Sequence, residues 1–302
     1  MPSPAATQHP AVALMARETR LREGKVDCEI GGVAVAPGKQ WLHEDGFVLR
    51  TPSELRFRYA KGQGVTVERP EGWDPAEEYL WLNGSVYAAI ACINGLYPIH
   101  ASAVALNGQV FAFTGPSGAG KSTLVAELTR RGLPLFCDDT LILDLSDPAR
   151  VVCLPGHKRL KLWPDALALT GATASGQVMA SIPKYYAQPA GGTVVDVLPL
   201  AELCFLEEGD PARIEPLRGA EKLMRLQDDH YTTDLFLAAS RPDRAARFAQ
   251  LANFARVINL SRFVRPRDSA RFALDAGLVE SHVKLQSMEL LAAQSQVSET
   301  GE

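Results

Sequence analysis

The chain has 302 residues, of which 46% are hydrophobic and 22% charged, and its formal net charge at pH 7 is -4. This composition is typical of a globular protein, and the acidic balance argues against a nucleic-acid or membrane-surface binder. No apolar run approaches the roughly 20 residues that span a bilayer, and the first ten residues lack the features of a secretion signal. The five cysteines are scattered, so we expect no disulfide framework and no zinc site, and a reducing cytoplasm is the expected location.

Three regions are predicted along the chain. In the first, short apolar runs alternate with turn residues from about residue 26 to residue 70, which indicates a small β-rich region. A helix should follow over residues 75–96, because a proline stands near its start and apolar residues recur at partial helical spacing. The predicted domains are 1–96 (β-rich region plus helix), 97–240 (α/β core) and 241–302 (helical region with a polar tail).

The core should begin with a β-hairpin that brings a histidine to its open end. Residues 102–106 and 109–113 are apolar runs joined by Asn107-Gly108, which is the strongest short hairpin signal. If this two-residue turn sets the register, His100 lies opposite Gly115. A histidine that merely caps the strand end is the alternative, but histidine titrates readily near neutral pH, which favours a functional role.

The segment after this hairpin fits a phosphate-binding loop. Residues 115–122, GPSGAGKS, match G-x-x-x-x-G-K-[ST], the P-loop, in which backbone N–H groups surround an anion. A strand is predicted before the loop and a helix over residues 122–131, and both flanks are needed to place phosphate at a helix N-terminus. Lys121 can reach the β- and γ-phosphates, and the Ser122 hydroxyl can hold Mg²⁺. The predicted nucleotide-binding residues are Gly115, Pro116, Ser117, Gly118, Ala119, Gly120, Lys121, Ser122 and Thr123.

Two carboxylates follow the next predicted strand, residues 133–137. Asp138 and Asp139 should lie at the carboxyl ends of the strands, where an open α/β sheet binds its ligand. Because adjacent side chains on a strand diverge, one acid is expected to face a metal and the other an acceptor. A solvated turn is the alternative, and Asp144 is a second acidic candidate that ranks below these two.

Several cations follow at residues 158–161 and at Lys184. Such cations could neutralise a transferring phosphoryl group. For Lys158 and Lys161 we favour a solvated basic face, whereas both interpretations stay open for Lys184. Towards the end, a helix is predicted over residues 241–260, and a second helix should begin near Asp268.

Residues 99–139 place a histidine, a hairpin, the GPSGAGKS loop, a helix and Asp138-Asp139 in one order. This order resembles the catalytic domain of the HPr serine kinase/phosphorylase family. A weaker likeness extends to about residue 170 and to the VRPRDSA segment near the end. The chain is most similar to divergent HPr-kinase-like proteins of biosynthetic operons, which include the kinases of lasso-peptide precursors. The resemblance implies an α/β P-loop kinase domain of the HPr kinase and phosphoenolpyruvate carboxykinase type, with ATP and Mg²⁺ as cofactors.

The resemblance also implies roles for individual residues. Asp138 would be the general base on the acceptor hydroxyl, His100 would lie near that carboxylate, and Asp139 would support the metal together with Ser122. Lys121 would contact the β- and γ-phosphates. Pro116 stands where the family has an acidic residue, and no E-x-R-G-x-G motif follows residue 150, which argues against HPr itself as the substrate.

The leading functional hypothesis is an ATP-dependent serine kinase that acts on a peptide or small protein, with a lasso-peptide precursor as one candidate. A kinase of small-molecule hydroxyl groups would use the same catalytic residues. A nucleotide-dependent binding module without transfer chemistry is the third possibility, although the chain has neither an N-K-x-D nor an L-S-G-G-Q motif. A homo-oligomer is possible, and neither nucleic acid nor a membrane is an expected partner.

Overall fold

The computed structural model of the chain describes residues 9–227, 235, 238, 239 and 243–299. Within these residues the chain is a mixed α/β structure with several sheets. The helices are α1 Pro10–Glu18, α2 Pro75–Trp81, α3 Tyr87–Ile93, α4 Lys121–Arg130, α5 Pro164–Thr170, α6 Ala220–Leu226, α7 Arg244–Val257 and α8 Phe272–Glu299, with a π-helical segment at Leu82–Val86.

The strands alternate with these helices. They are β1 Leu21–Glu23, β2 Glu29–Ile30, β3 Val33–Ala34, β4 Lys39–His43, β5 Gly46–Arg50, β6 Arg56–Ala60, β7 Gly64–Glu68, β8 Tyr97–Ile99, β9 Ala101–Leu106, β10 Gln109–Thr114, β11 Leu135–Cys137, β12 Leu141–Asp144, β13 Val152–Leu154, β14 Leu160–Leu162, β15 Ala174–Met179, β16 Ile182–Ala187, β17 Leu198–Glu208, β18 Arg213–Pro216 and β19 Asn259–Arg265.

The N-terminal region is built on a five-stranded sheet in the order β1-β7-β6-β5-β4. Its buried aromatic residues, among them Phe47 and Tyr59, belong to the same apolar cluster as Ile90 of α3 and Leu203 of β17. The core is therefore continuous between the N-terminal sheet and the central sheet. The predicted β-rich character of this region is confirmed, whereas the boundary at residue 96 stays a prediction.

The helix predicted over residues 75–96 is present but is interrupted by a π-helical turn, which the spacing of its apolar residues does not predict. Asp74 begins α2, since its carboxylate accepts a hydrogen bond from the Ala76 N–H at 2.9 Å, and Pro75 occupies the first turn. The π-helical segment Leu82–Val86 then separates α2 from α3. Such single-turn insertions widen the helix backbone locally and are frequent at functional sites.

The central sheet has nine strands and follows the order β11-β9-β10-β17-β13-β12-β8, with β19 beside β17 and β18 beside β19. The register predicted from Asn107-Gly108 is confirmed, because Gln109 pairs with Leu106 and Thr114 with Ala101. Both turn residues have positive φ angles, 50° and 73°, as a tight primed turn requires.

Over the described residues, one edge of the central sheet collects the carboxyl ends of five strands. Strands β10, β17 and β19 are mutually parallel. Strand β11 runs in the same direction because both β10 and β11 are antiparallel to β9, and β12 does so because both β12 and β17 are antiparallel to β13. Loops that follow these strands therefore meet at this edge, which is where open α/β sheets bind ligands.

The C-terminal region differs from its prediction. The helix predicted over residues 241–260 is observed as α7, which ends at Val257, and Asn259–Arg265 form strand β19 in the central sheet. The region 241–302, predicted as helical with a polar tail, therefore also contributes a strand to the central sheet. The apolar stripe of the helix continues into Ile258 and Leu260, both of which are buried, so the spacing alone conceals the change from helix to strand.

Candidate active site

A glycine-rich loop at residues 115–120 connects β10 to α4. Gly115, Gly118 and Gly120 have φ angles of 145°, 81° and 89°, which favour glycine over residues with a side chain. A Cβ atom on Gly120 would lie 2.6 Å from Nη2 of Arg265, so the loop lies close against the end of β19. The loop leads into the ten-residue helix α4, and no side chain caps the N-terminus of that helix. The first N–H groups of α4 have no partner within the helix. The predicted strand and helix on either side of the loop are confirmed.

Lys121, the first residue of α4, is 5% exposed and folds back over this loop. Its Nζ donates hydrogen bonds to the carbonyl oxygens of Gly115 at 2.8 Å and Pro116 at 3.1 Å. Burial lowers the pKa of the Lys121 ammonium to about 8, although the carboxylates of Asp138 and Asp139 act in the opposite direction. An anion bound in the loop would therefore stabilise the charged form of Lys121, which burial disfavours in the free protein.

A cleft of about 660 Å³, the loop cleft, opens in front of the loop and α4. Most of the predicted site residues line it together with cations and apolar side chains from α5, β16 and the end of β19. The lining residues are His100, Ser102, Ser117, Gly118, Ala119, Gly120, Lys121, Ser122, Thr123, Asp139, Lys161, Trp163, Asp165, Ala166, Ala168, Leu169, Lys184, Arg265, Arg267, Asp268, Ser269 and Phe272.

The two adjacent carboxylates occupy different environments. Asp138 is fully buried and does not line the loop cleft, because its two oxygens accept hydrogen bonds from the Ser102 hydroxyl at 2.5 Å and the Lys161 N–H at 2.7 Å. Asp139 has a φ angle of 77°, a left-handed conformation that aspartate adopts more readily than most residues. That turn directs the Asp139 carboxylate into the cleft. This placement favours Asp139 over Asp138 as the group that meets a substrate.

Lys161 is the counter-ion of Asp139. The Nζ of Lys161 lies 2.7 Å from Oδ2 of Asp139, and the lysine side chain is only 5% exposed. Burial raises the pKa of the Asp139 carboxyl, but the charge and the hydrogen bond of Lys161 outweigh burial, and the pKa is lowered overall. The carboxylate is therefore ionised at neutral pH. The interpretation of Lys161 as part of a solvated basic face is wrong.

His100 holds the backbone of Asp139. The ring Nδ1 lies 2.8 Å from the carbonyl oxygen of Asp139, and because a carbonyl only accepts, Nδ1 carries the proton. Burial, followed by the charge of Lys121, lowers the pKa of His100 to about 4. The predicted position of His100 beside the loop is confirmed. The expectation that His100 titrates near neutral pH is wrong, because with a pKa of about 4 its imidazole is already neutral at pH 7.

Two arginines at the end of β19 complete the cationic side of the loop cleft. The Nη2 of Arg265 donates to the carbonyl oxygen of Ala119 at 3.1 Å, and Arg267 pairs with Glu208 at 3.1 Å. The sequence pattern does not identify them as site residues, because only the pairing of β19 with β17 brings them beside the loop. Burial lowers the pKa of the Arg265 guanidinium, yet its usual value is so high that it remains charged.

The residues predicted to hold a metal, Ser122 and Asp139, both line the loop cleft. Among the residues that the structure describes, no group of three or more His, Cys, Asp or Glu side chains could hold a metal ion. Mg²⁺ commonly takes one or two protein ligands and the rest from phosphates and water, so one hydroxyl and one carboxylate fit that ion as a partial ligand set. Asp144 lies outside this lining, and its carboxylate accepts a hydrogen bond from the Ser146 N–H at 2.9 Å.

Over the described part of the chain, no helix has the length and apolar character needed to cross a bilayer.

Comparison with known proteins finds distant structural likenesses and no match by sequence. No family model matches the sequence, and no curated protein matches it. Among solved structures, the chain is similar to the Hpr(Ser) kinase/phosphatase from Coxiella burnetii, with 14% sequence identity and a TM-score of 0.35. The matched region covers 68% of this chain and 99% of that chain. Similarity at this level carries no inference about function, which has to come from the geometry of the loop cleft itself.

Proposed function

We propose that this chain is an ATP-dependent phosphotransferase that moves the γ-phosphoryl group to a serine hydroxyl of a peptide or small protein. One observation carries the proposal: the Asp139 carboxylate faces the same cleft as the glycine-rich loop and Lys121. Phosphoryl transfer requires a positioned phosphate, neutralisation of its charge and an acceptor for the hydroxyl proton. The loop, the cations and Asp139 are candidates for these three tasks.

Each group has a defined part in the proposed reaction. The N–H groups of the loop and of the start of α4 bind the phosphates, while Lys121 and Arg265 balance their charge. Asp139 accepts the hydroxyl proton as the new oxygen–phosphorus bond forms and the bond to the bridging oxygen of ADP breaks. Because the pKa of Asp139 is low, its carboxylate is a weak base. It therefore accepts the proton only when the hydroxyl has become acidic in the transition state. Magnesium, held by the Ser122 hydroxyl and the phosphates, would supply further positive charge and would leave Asp139 free to take the proton.

Asp138 and His100 take supporting parts in this proposal, which differs from the roles that the family resemblance implies. Asp138 fixes the backbone of Lys161, which in turn supplies the ammonium beside Asp139. His100 holds the carbonyl of Asp139 in place. The bonds of both residues support a role in positioning the Asp139 carboxylate.

The test is transfer of label from ATP. The protein is incubated with Mg²⁺ and ATP labelled at the γ position, with a degenerate library of serine-containing peptides or with a panel of hydroxylated metabolites. Label on serine peptides, and none from ATP labelled at the α position, is the expected result. Label confined to metabolites favours a small-molecule kinase, and stoichiometric ATP binding without any labelled product favours a binding module.

Nucleotide affinity should decrease at alkaline pH because of Lys121. Its pKa is about 8 in the free protein, and a bound phosphate favours the charged form, so binding at high pH takes up a proton. We expect constant affinity below about pH 7 and a loss approaching about tenfold per pH unit above pH 8. Isothermal titration with ADP from pH 6.5 to 9.5 measures this. Lys121→Arg should remove the decrease, since arginine stays charged, and an unchanged slope in that variant would assign the titration to another group.

A further inference from the structure

A second cavity, of about 570 Å³, reaches Asp139 from the side of the N-terminal region. We call it the N-terminal groove. Its walls come from the start of β4, the end of β5 and the junction of α2 with the π-helical segment. The lining residues that bear on its occupant are Lys39, Gln40, Leu80, Trp81, Gly84 and Asp139.

Asp139 belongs to the lining of both cavities. A carboxylate that takes a proton from an acceptor must contact that acceptor, while the phosphoryl donor lies on its other side. The loop cleft provides a site for the donor. The N-terminal groove is therefore placed where the acceptor has to arrive.

The walls of the groove are chemically suited to a peptide segment. Leu80 and Trp81 form an apolar wall, and the indole is held in place because its N–H donates to Glu77 at 3.2 Å. Lys39 stands exposed at the rim, whereas Arg50 is paired with Glu54 at 2.8 Å. This arrangement favours an apolar residue near the acceptor serine and an acidic residue at the rim.

The edge of the N-terminal sheet also favours an extended occupant. Strand β4 is the last strand of that sheet in the described structure and pairs only with β5 there. Its first residues, Lys39 and Gln40, line the groove. The Lys39 N–H already donates to the carbonyl oxygen of Ala36 at 3.1 Å. Beyond that residue, the edge of β4 offers backbone donors and acceptors to an extended peptide, which is a common mode of peptide recognition.

Gly84 leaves room at the base of the groove. It is buried within the π-helical segment, yet a Cβ atom on Gly84 would meet nothing within 4 Å. A Cβ atom at this position would therefore meet no atom outside the adjacent helix backbone. Because Gly84 lines the groove, substitution here is a means of reducing the free volume of the groove.

We infer that the N-terminal groove is the acceptor site, and that it binds an extended peptide segment whose serine hydroxyl reaches Asp139. This inference rests on the proposed phosphotransferase function and assigns its substrate class. It also assigns substrate binding to residues 38–85, in which the sequence shows no chemical motif.

The experiment uses a variant that places a large side chain in the N-terminal groove and leaves the residues of the loop cleft unchanged. Gly84→Phe should lower transfer of label from ATP to the serine-peptide library at least tenfold, and ADP affinity by titration should stay within twofold of wild type. Gly84→Ala, which adds one methyl group, should have a smaller effect. Equal transfer by wild type and Gly84→Phe overturns the groove assignment alone. Absence of transfer by wild type to every acceptor, or transfer to metabolites alone, overturns the proposed function and the peptide acceptor together.

A second variant covers the case in which Gly84→Phe fails to fold. Ser85→Cys, in a Cys28→Ser background, places a thiol in the groove, and the other four cysteines are buried. Transfer is measured on the same folded sample before and after reaction with N-ethylmaleimide, and a loss of at least tenfold is expected. Ser146→Cys in the same background is the matched control, since residue 146 is exposed and lies outside both cavities. Equal activity before and after capping at residue 85 overturns the assignment.

Discussion

Replacing Asp139 with asparagine should lower phosphoryl transfer by about 100-fold or more while ADP affinity changes only a few-fold. Asparagine has the same shape and can still accept a hydrogen bond from Lys161, but it cannot take the hydroxyl proton. Single-turnover transfer from γ-labelled ATP and titration with ADP measure the two quantities separately. Transfer at the wild-type rate would contradict the role of Asp139.

Stability has to be separated from chemistry in this variant. Lys161 is buried, and loss of its counter-ion leaves an uncompensated charge, which costs about 3–5 kcal/mol in comparable sites. The double variant with Lys161→Met should recover stability without recovering transfer. Recovery of transfer in that double variant would mean that Asp139 stabilises the folded protein and does not accept the hydroxyl proton.

Asp138→Asn serves as the contrasting variant. Its amide oxygen can keep the hydrogen bond from the Lys161 N–H, while its NH₂ donates to the Ser102 hydroxyl, which must turn to accept. The reversed buried hydrogen bond should cost about 1 kcal/mol. We expect a lower midpoint of urea unfolding and a smaller loss of transfer than in Asp139→Asn. The opposite pattern, normal stability with abolished transfer, would support Asp138 as the base, as the family resemblance implies.

Lys121→Met should reduce transfer by about 100- to 1,000-fold, which is the usual effect of removing one charged group from a developing anion. Methionine is apolar and of similar length. It avoids the cost of burying an ammonium but removes the donor to the carbonyl oxygens of Gly115 and Pro116, so these effects oppose each other and the thermal midpoint should change little. The values of kcat/KM and the thermal midpoint are compared with those of Lys61→Met, a control in an exposed pair with Asp45. Normal transfer by Lys121→Met would argue against phosphate binding at this loop.

Local sequence signals predicted the parts of the site that depend on neighbouring residues. Asn107-Gly108 fixed the pairing of β9 with β10, and that pairing alone brings His100 beside the glycine-rich loop. The loop itself lies between the strand and the helix that its pattern requires. These features follow from turn geometry and hydrophobic periodicity, which act within a few residues.

The remaining features depend on contacts between distant segments. Lys161 reaches Asp139 from β14, which pairs with β16 in a separate small sheet, and no local pattern predicts that approach. The direction of the Asp139 side chain follows from one backbone angle. Burial, which is set by the whole fold, moves the pKa of His100 away from neutral pH.

Hydrogen exchange of the backbone amides tests the central claim most directly, because those amides are the proposed phosphate ligands. The protein is compared with and without a non-hydrolysable ATP analogue and Mg²⁺. We predict slower exchange in peptides that cover residues 115–124 and in those that contain Asp139, with the strands β4–β7 unchanged. Protection elsewhere, with exchange in the glycine-rich loop unaltered by the nucleotide, would contradict the account.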